Sequence, residues 1–395
     1  MRWVEESADP DVMTVDPRGL AIGDLVLDRT PSPAEIDAFV DEHDFPIVEG
    51  GKCTFLFRGN VSRVALRHWV YGLPTAVPLT HVPKTDLWYH VLELPEGSRV
   101  EYKYEVHEGR EASLVRDPLN ERLAHDPFGA NSVCHASGYS VPSWIHEDPS
   151  VSKGSIEERV FHSEALEGQR RFSIYRPARY RVTRSYPLLV VHDGRDYDRF
   201  ANLTTVLDNL IHNRDIPGMI AILTDPPNRM EQYRDSAAHA RYLAEELVPA
   251  LEDELPLIGT PEARGLMGAS LGAVASLSTA IRYPGRFGRL LLQSGSFAFS
   301  DVGRHDRGPI FDPIADMVND YRSDPFAVSE RVFVSCGTYE SLIYENRSLV
   351  PLLQRTGMDV RYVEARDGHN WENWRDRLRE GLAFLFPGPQ WWVYL

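Results

Sequence analysis

The stretch Arg264-Gly-Leu-Met-Gly-Ala-Ser-Leu-Gly-Ala-Val-Ala275 predicts how the second half of the chain folds. It holds a G-x-S-x-G pattern centred on Ser270, with apolar residues before it that fit a short buried strand. The small and apolar residues 271–283 after it fit a helix. A strand, a tight turn and a helix are the setting of a nucleophile elbow, where the serine stands on strained backbone. Gly268 and Gly272 are as small as this turn requires, so we interpret Ser270 as a nucleophile. The alternative is an ordinary glycine-rich turn with a serine at the surface.

Length and charge limit the organisation of the chain and its partners. A chain of 395 residues predicts two domains, or one large domain with an appendage. A net charge of −16 without a basic run disfavours nucleic acid and anionic membranes as partners. The N-terminus is acidic and lacks the apolar segment of a signal peptide. No apolar run reaches the roughly 18 residues of a membrane-spanning helix. We therefore expect a cytoplasmic protein that binds neither nucleic acid nor a membrane.

Cysteines and acidic residues give no indication of a metal site. Cys53, Cys134 and Cys336 are odd in number and scattered, which fits neither a disulfide framework nor a thiolate metal site. The aspartates after residue 300 have no metal-ligand spacing with a histidine. We expect no catalytic metal and no cofactor.

Residues 1–150 have the pattern of an N-terminal β-sandwich with a leading helix and a connector. Ser32-Pro-Ala-Glu35 is a capping box with proline at the first helical position, and it predicts a helix over residues 33–43. Short β-rich runs follow, and the run over residues 99–106 alternates apolar and charged side chains. Strands of this length without long helices between them favour an antiparallel sandwich.

Residues 151–395 have the pattern of an α/β-hydrolase catalytic domain. Residues 156–175 predict a hairpin, and continuous apolar runs such as 187–192 and 219–223 then alternate with helical segments. A long helix is predicted over residues 231–254 and a closing helix over 374–385. Fully apolar strands separated by helices are typical of a parallel sheet covered on both faces.

The partners of a serine nucleophile are expected in the chain order serine, acid, histidine. Of the histidines, only His305 and His369 follow Ser270, and His369 stands between the last predicted strand and the last helix. We predict His369 as the base. Glu340 follows the predicted strand at 332–335 and is our choice for the acid that holds the imidazole tautomer. Glu345 and Asp367 are the alternatives, and Glu340 could instead be a charge at a helix N-terminus.

Two backbone N–H groups are needed to stabilise the oxyanion of an acyl-transfer intermediate. The residue after the nucleophile, Leu271, provides the first. The loop after the first buried strand of the domain contains Asp193-Gly194-Arg195, and we predict the amide of Arg195 as the second.

Several motifs together resemble the enterochelin (ferric enterobactin) esterase family, within the esterase D and antigen 85-like α/β-hydrolases. The motifs are His192-Asp-Gly194, Asn228-Arg229 with Tyr233, Gly268-Ala-Ser-Leu-Gly272, Tyr283-Pro-Gly-Arg-Phe287, Gln293-Ser-Gly-Ser-Phe297 and Gly368-His-Asn-Trp371 with Trp374. The resemblance covers nearly the whole chain, and residues 45–145 resemble the immunoglobulin-like N-terminal domain of that family. It implies a cytoplasmic serine esterase that hydrolyses the ester bonds of a catecholate trilactone siderophore and so releases iron. It also supports Glu340 as the acid and Arg195 as the oxyanion donor.

Tryptophans and arginines near the predicted site are candidates for substrate binding. Trp371 and Trp374 could stack on aryl rings, or pack the last helix on the sheet. A ferric tricatecholate is an anion, so a local arginine cluster would have to reverse the negative field of the chain. The candidates are Arg195, Arg199, Arg229 and Arg234, and the alternative is that they are solvated surface residues. The pair Trp391-Trp392 is predicted to be a packing anchor.

Other functions compete with this interpretation. A general carboxylesterase, or a feruloyl- or acetyl-type carbohydrate esterase, would share the elbow and often a β-sandwich. The missing signal peptide argues against a plant-wall substrate. A catalytically silent binding protein on a hydrolase scaffold is a third possibility. The presence of serine, glutamate and histidine in the expected order argues against it.

Overall fold

The computed structural model describes residues 15–300 and 307–388 and divides the chain into two units. The first unit runs to Val141 and also includes two short segments from later in the chain, Thr338–Glu340 and Ala365–Asn370. The second unit consists of Pro142–Gly337, Ser341–Glu364 and the chain from Trp371 onward. His305 and the predicted packing anchor Trp391-Trp392 lie outside the described residues.

The described residues of the first unit begin with two helices, α1 (Ala21–Val26) and α2 (Pro33–Glu42). The predicted capping box is confirmed. The backbone N–H of Glu35 donates to Ser32 Oγ at 3.4 Å, and that of Ser32 donates to Glu35 Oε2 at 2.8 Å. Each bond satisfies an amide that the helix itself leaves without an acceptor. Ile36 and Phe39 of α2 are buried in a cluster with Leu56 and Val91.

Among the residues that the structure describes, ten strands form two antiparallel sheets in the first unit. They are β1 (Ile47–Glu49), β2 (Lys52–Arg58), β3 (Arg63–His68), β4 (Ala76–Pro78), β5 (Thr80–His81), β6 (Leu87–Glu93), β7 (Arg99–Glu108), β8 (Glu111–Val115), β9 (Leu123–Asp126) and β10 (Gly129–His135). The strand orders are β1-β2-β6-β5 and β4-β3-β7-β10-β9, with β8 paired to β7. The predicted alternation of β7 is observed, since its apolar residues from Val100 to Val106 are buried in a core shared with Phe55 of β2. The predicted antiparallel sandwich is therefore present.

In the described part of the second unit, eight strands form one mixed sheet. They are β11 (Ser155–Ser163), β12 (Gly168–Arg176), β13 (Leu188–His192), β14 (Ile220–Thr224), β15 (Arg264–Ala269), β16 (Arg289–Gln293), β17 (Arg331–Gly337) and β18 (Asp359–Ala365). Their order is β11-β12-β14-β13-β15-β16-β17-β18. The predicted hairpin β11-β12 joins β14 antiparallel, and the pairs from β14 through β17 are parallel.

Helices cover both faces of this sheet, as predicted. They are α3 (Gly194–Ala201), α4 (Leu203–Asn213), α5 (Arg229–Tyr233), α6 (Ala237–Arg241), α7 (Val248–Glu254), α8 (Leu271–Arg282), α9 (Asp312–Ser323), α10 (Ile343–Arg355), α11 (Trp371–Asp376) and α12 (Leu378–Leu385). Strand β13 shows the two faces, because Leu188 and Val190 lie in one apolar cluster whereas Leu189 and Val191 lie in another. No helix among the described residues is long and apolar enough to cross a membrane.

Two predicted helices are interrupted in the structure. The helix predicted over residues 231–254 breaks after α5, because Arg234 leaves helical dihedrals (ψ 58°) and Asp235 has φ 66°. Ser236 then caps α6 by accepting a hydrogen bond from His239 N, and a π-helical turn at Tyr242–Leu247 leads into α7. The predicted closing helix begins earlier, at Trp371, and is divided into α11 and α12.

Candidate active site

Ser270 lies on the strained turn that the sequence predicts. Its backbone has φ 56° and ψ −118°, between the end of β15 and the first residue of α8. The turn needs Gly268, because a Cβ there would lie 2.4 Å from the backbone of Gly272. A Cβ on Gly272 would lie 3.2 Å from His192 Cβ, which is also tight. Strain of this kind persists only where the surrounding structure imposes it, and it is concentrated at functional sites.

Gln293, the last residue of β16, and Ser296 after it support the elbow, and neither was predicted to do so. Ser296 Oγ lies 3.3 Å from Ser270 Oγ, and the Ser296 amide donates to Ser270 O at 3.3 Å. The Ser270 amide donates to Gln293 O at 2.9 Å. The Gln293 side chain is buried, accepts from the Tyr197 hydroxyl at 2.8 Å and donates to Trp374 O at 2.8 Å. The Gln293-Ser-Gly-Ser-Phe297 motif was the signal that could have identified these supports.

The two predicted oxyanion donors have different surroundings. Leu271 is the first residue of α8, and the first N–H groups of a helix have no acceptor within it. The amide of Arg195, in contrast, donates to Asp225 Oδ1 at 3.2 Å. Arg195 could act as an oxyanion donor only after this bond is released, and its role stays a prediction.

Arg229 is held by the loop that follows β13. Its Nε lies 3.0 and 2.9 Å from the two carboxylate oxygens of Asp193, and its Nη2 donates to Ala269 O at 3.3 Å. Burial raises the pKa of Asp193 to about 6, while the charge of Arg229 acts to lower it. The guanidinium thus connects this loop to the residue that precedes Ser270. Its predicted contact with substrate is not tested by this geometry, but the ion pair gives it a supporting role.

The other substrate-binding candidates divide into exposed and packed side chains. Arg199 is exposed and its guanidinium lies 4.9 Å from the Phe200 ring, whereas Arg234 is partly buried. Trp371 packs edge-on against Tyr197, at 5.2 Å between ring centroids, and its own exposure is intermediate. The surroundings of Trp374 fit the packing alternative. It is 6% exposed and its Nε1 donates to Ser294 Oγ at 2.9 Å, so it packs the helix on the sheet.

Glu340 and His369 form a hydrogen-bonded pair within the first unit. His369 Nδ1 lies 2.5 Å from Glu340 Oε2, and the glutamate side chain is 3% exposed against 37% for the histidine. A carboxylate on Nδ1 fixes the tautomer and leaves Nε2 as the nitrogen that can exchange a proton with substrate groups.

The alternative acids have other partners. Both oxygens of Glu345 accept from Arg307 Nη1, at 2.8 and 3.0 Å. Asp367 accepts from Arg99 Nη1 at 3.0 Å, and burial raises its pKa to about 6. Among the described residues, the geometry favours Glu340 as the partner of His369. No group of three or more histidine, cysteine or acidic side chains in the described part of the chain could hold a metal ion.

Comparisons with known proteins point to esterases. Residues 163–385 match the family described as putative esterase. The iron(III) enterobactin esterase of Escherichia coli O6:H1 is 24% identical over 334 residues, which cover 78% of this chain and 81% of the relative. An uncharacterized Bacillus subtilis protein is 27% identical over 242 residues, 58% of this chain and 96% of the relative.

Solved structures share the fold. A crystal structure of the enterobactin esterase from Shigella flexneri, determined in the presence of enterobactin, superimposes with a TM-score of 0.71 at 21% identity. The match covers 88% of this chain and 97% of that one. A ferulic acid esterase superimposes with a TM-score of 0.52 at 18% identity, covering 59% of this chain and 98% of that one.

Proposed function

We propose that this chain, which belongs to the putative esterase family and is a carboxylic ester hydrolase, is a serine esterase. Its proposed substrate is a ferric catecholate trilactone siderophore, whose lactone bonds it hydrolyses. The observation that carries the chemistry is the Glu340–His369 pair at 2.5 Å. A carboxylate-bound imidazole is the general base that a serine nucleophile requires. The strained backbone of Ser270 is the second observation, because it fits a nucleophile elbow.

In the proposed reaction, Ser270 Oγ attacks the ester carbonyl while His369 Nε2 takes its proton. The oxyanion that forms is stabilised by the Leu271 amide, and by a second donor predicted at Arg195. His369 then protonates the leaving alcohol, which departs as the acyl-enzyme forms. Water activated by the same nitrogen hydrolyses that ester and regenerates Ser270. Glu340 holds Nδ1–H and balances the imidazolium. The three residues follow β15, β17 and β18 in the chain order serine, acid, histidine.

The siderophore assignment rests on the relatives. The match to the Escherichia coli enterobactin esterase runs through 334 residues and therefore includes part of the chain before residue 163. The named substrate of that relative is the reason to propose a trilactone here. We further propose that the exposed Arg195 and Arg199 attract the anionic ferric complex toward a chain of net charge −16. The immunoglobulin-like character of the N-terminal sandwich and a cytoplasmic location belong to the same proposal.

A hydrolysis panel tests this function. Purified protein is offered ferric and iron-free trilactone, a feruloyl ester and a neutral short-chain aryl ester, with Ser270→Ala as the blank. Preferred turnover of the trilactone supports the proposal. Turnover of the feruloyl or aryl ester alone would replace it with the carbohydrate-esterase or general carboxylesterase function. If no ester is turned over and a fluorophosphonate fails to label Ser270, the protein is a binding protein on a hydrolase scaffold.

A further inference from the structure

Arg99 of the N-terminal sandwich is bonded to residues on both sides of His369. It is the first residue of β7, and its side chain is 0% exposed. Its Nη1 donates to Asp367 at 3.0 Å and to Asn370 Oδ1 at 3.1 Å. Its backbone amide donates to Arg366 O at 2.9 Å. One buried guanidinium therefore holds the segment in which His369 lies.

The neighbouring residue Ser98 holds the segment that ends at Glu340. Ser98 Oγ lies 2.5 Å from the hydroxyl of Tyr339, the residue directly before the glutamate. The Tyr339 carbonyl accepts from the Tyr71 amide, in the loop after β3, at 2.8 Å. The Tyr339 amide donates to Asp367 O at 3.1 Å, so the two segments are also bonded to each other. All of these residues belong to the first unit.

Charge and burial make this attachment rigid. The Asp367 carboxyl is buried and also accepts from Gly368 N at 2.7 Å and Asn370 Nδ2 at 2.8 Å. Removing the partner of a buried charge is strongly unfavourable, so the loop has little freedom to leave Arg99. Nη1 of the guanidinium donates to Asp367 and Asn370 while Nη2 donates to Glu101 Oε1 at 3.1 Å, and the single nitrogen of a lysine cannot keep all three contacts in the same geometry.

We propose that Arg99 is a positioning residue for His369, and that the N-terminal β-sandwich thereby supplies part of the catalytic apparatus. This inference rests on the proposed serine-esterase function. The sandwich acts through the two residues Ser98 and Arg99, which fix the loops of the acid and the base. Small displacements of a reacting group are costly, since a misplacement of about 1 Å can lower the rate by about 100-fold.

The test compares Arg99→Lys with a matched buried arginine in the second unit. Arg289→Lys is the control, because Arg289 is also buried on a strand and donates to Glu330 at 2.7 Å. Both variants are assayed on the best ester of the panel, well below their measured melting temperatures. We expect Arg99→Lys to lower kcat by about 10- to 100-fold with KM within about 2-fold. Arg289→Lys should leave both constants unchanged at a similar loss of thermal stability.

A His369→Ala background separates positioning from general damage. If Arg99 acts through His369, Arg99→Lys adds nothing to the loss already caused by His369→Ala, because coupled residues are not additive. An equal further loss in that background, or an unchanged kcat in the single variant, overturns the inference.

Two further results keep the outcomes distinct. Should Arg99→Lys not fold, Tyr339→Phe decides, since it removes only the hydroxyl bonded to Ser98. A several-fold lower kcat at constant KM supports the inference, and an unchanged kcat contradicts it.

Wild-type protein without any esterase activity would refute the proposed function itself. An active wild type with an unaffected Arg99→Lys variant refutes only the role of Arg99.

Discussion

Arg229 and Asp193 form an ion pair in which one Nε contacts both carboxylate oxygens, at 3.0 and 2.9 Å. The carboxylate is only 8% exposed, whereas the arginine is 39% exposed. The same guanidinium donates to Ala269 O, one residue before the nucleophile. The pair therefore stabilises the loop after β13 and the elbow together, which changes what a substitution at Arg229 should do.

Arg229→Ala should slow every ester substrate. The variant leaves the Asp193 carboxylate buried without its partner, at a cost of about 1–3 kcal/mol of unfolding free energy. Turnover of a neutral aryl ester and of an anionic trilactone should fall by similar factors, measured as kcat/KM. The exposed Arg199 is the matched control. Arg199→Ala should lower kcat/KM only for the anionic substrate, and added salt should have the same selective effect. An Arg229→Ala variant that slows the trilactone alone would return this arginine to direct substrate binding.

Substitutions at Ser270 should abolish activity without destabilising the protein. Ser270→Ala removes the nucleophile but keeps the backbone strain, so activity should vanish while the melting temperature hardly moves. Ser270→Gly should also be inactive but more stable by about 1 kcal/mol, because glycine adopts a positive φ without strain. Thermal unfolding and ester hydrolysis of both variants check this. Substantial turnover by either variant would exclude Ser270 as the nucleophile.

Replacing Glu340 should lower kcat far more than replacing Glu345. Glu340→Gln keeps the size of the side chain but lets His369 adopt the wrong tautomer, and we expect kcat to fall by about 10³-fold or more. Glu345→Gln is the matched control, because Glu345 is bonded to Arg307. The steady-state kinetics of the two variants are compared on one substrate. The reverse ranking would assign the acid to Glu345, and two unaffected variants would leave a serine–histidine dyad.

A buried histidine pair beside the elbow should make the fold sensitive to acid. His192 Nε2 lies 3.1 Å from His239 Nε2, and burial lowers the pKa of His192 to about 4 and that of His239 well below its usual value. The unfolded chain takes up protons at these residues below about pH 6.5 while the folded chain does not. Their contribution to stability is therefore present above pH 6.5 and is lost as the pH falls toward 4.

The variant His239→Gln isolates this effect from the other titrating groups. As the pH falls from 6.5 to 4, the unfolding free energy of the wild type should decrease relative to that of the variant by about 1 kcal/mol per pH unit. Buried Asp193 and Asp367, with pKa values of about 6, act in the opposite direction but are common to both proteins. Denaturant titrations at several pH values measure the difference. A difference independent of pH would show that the pair does not stay neutral in the fold.

Local features were readable from the sequence because few residues encode them. The elbow requires Gly268 and Gly272 within two residues of Ser270, and the capping box requires Ser32 and Glu35 within three. The alternation of β7 follows from the two-residue period of a strand. The order serine, acid, histidine also needs no coordinates, and it selected Glu340 and His369, which the structure finds bonded to each other.

The tertiary structure decided which partner each polar side chain has. Arg99 and Asp367 are 268 positions apart and no local pattern connects them, yet their contact fixes the loop of the candidate base. Arg229, a predicted substrate contact, is bonded to Asp193. The amide of Arg195, a predicted oxyanion donor, has Asp225 as its acceptor. Backbone geometry depends on neighbours in the chain, so a short stretch of sequence specifies it. A buried charge needs an opposite charge or a donor nearby in space, and only the packing of distant elements determines which one it finds.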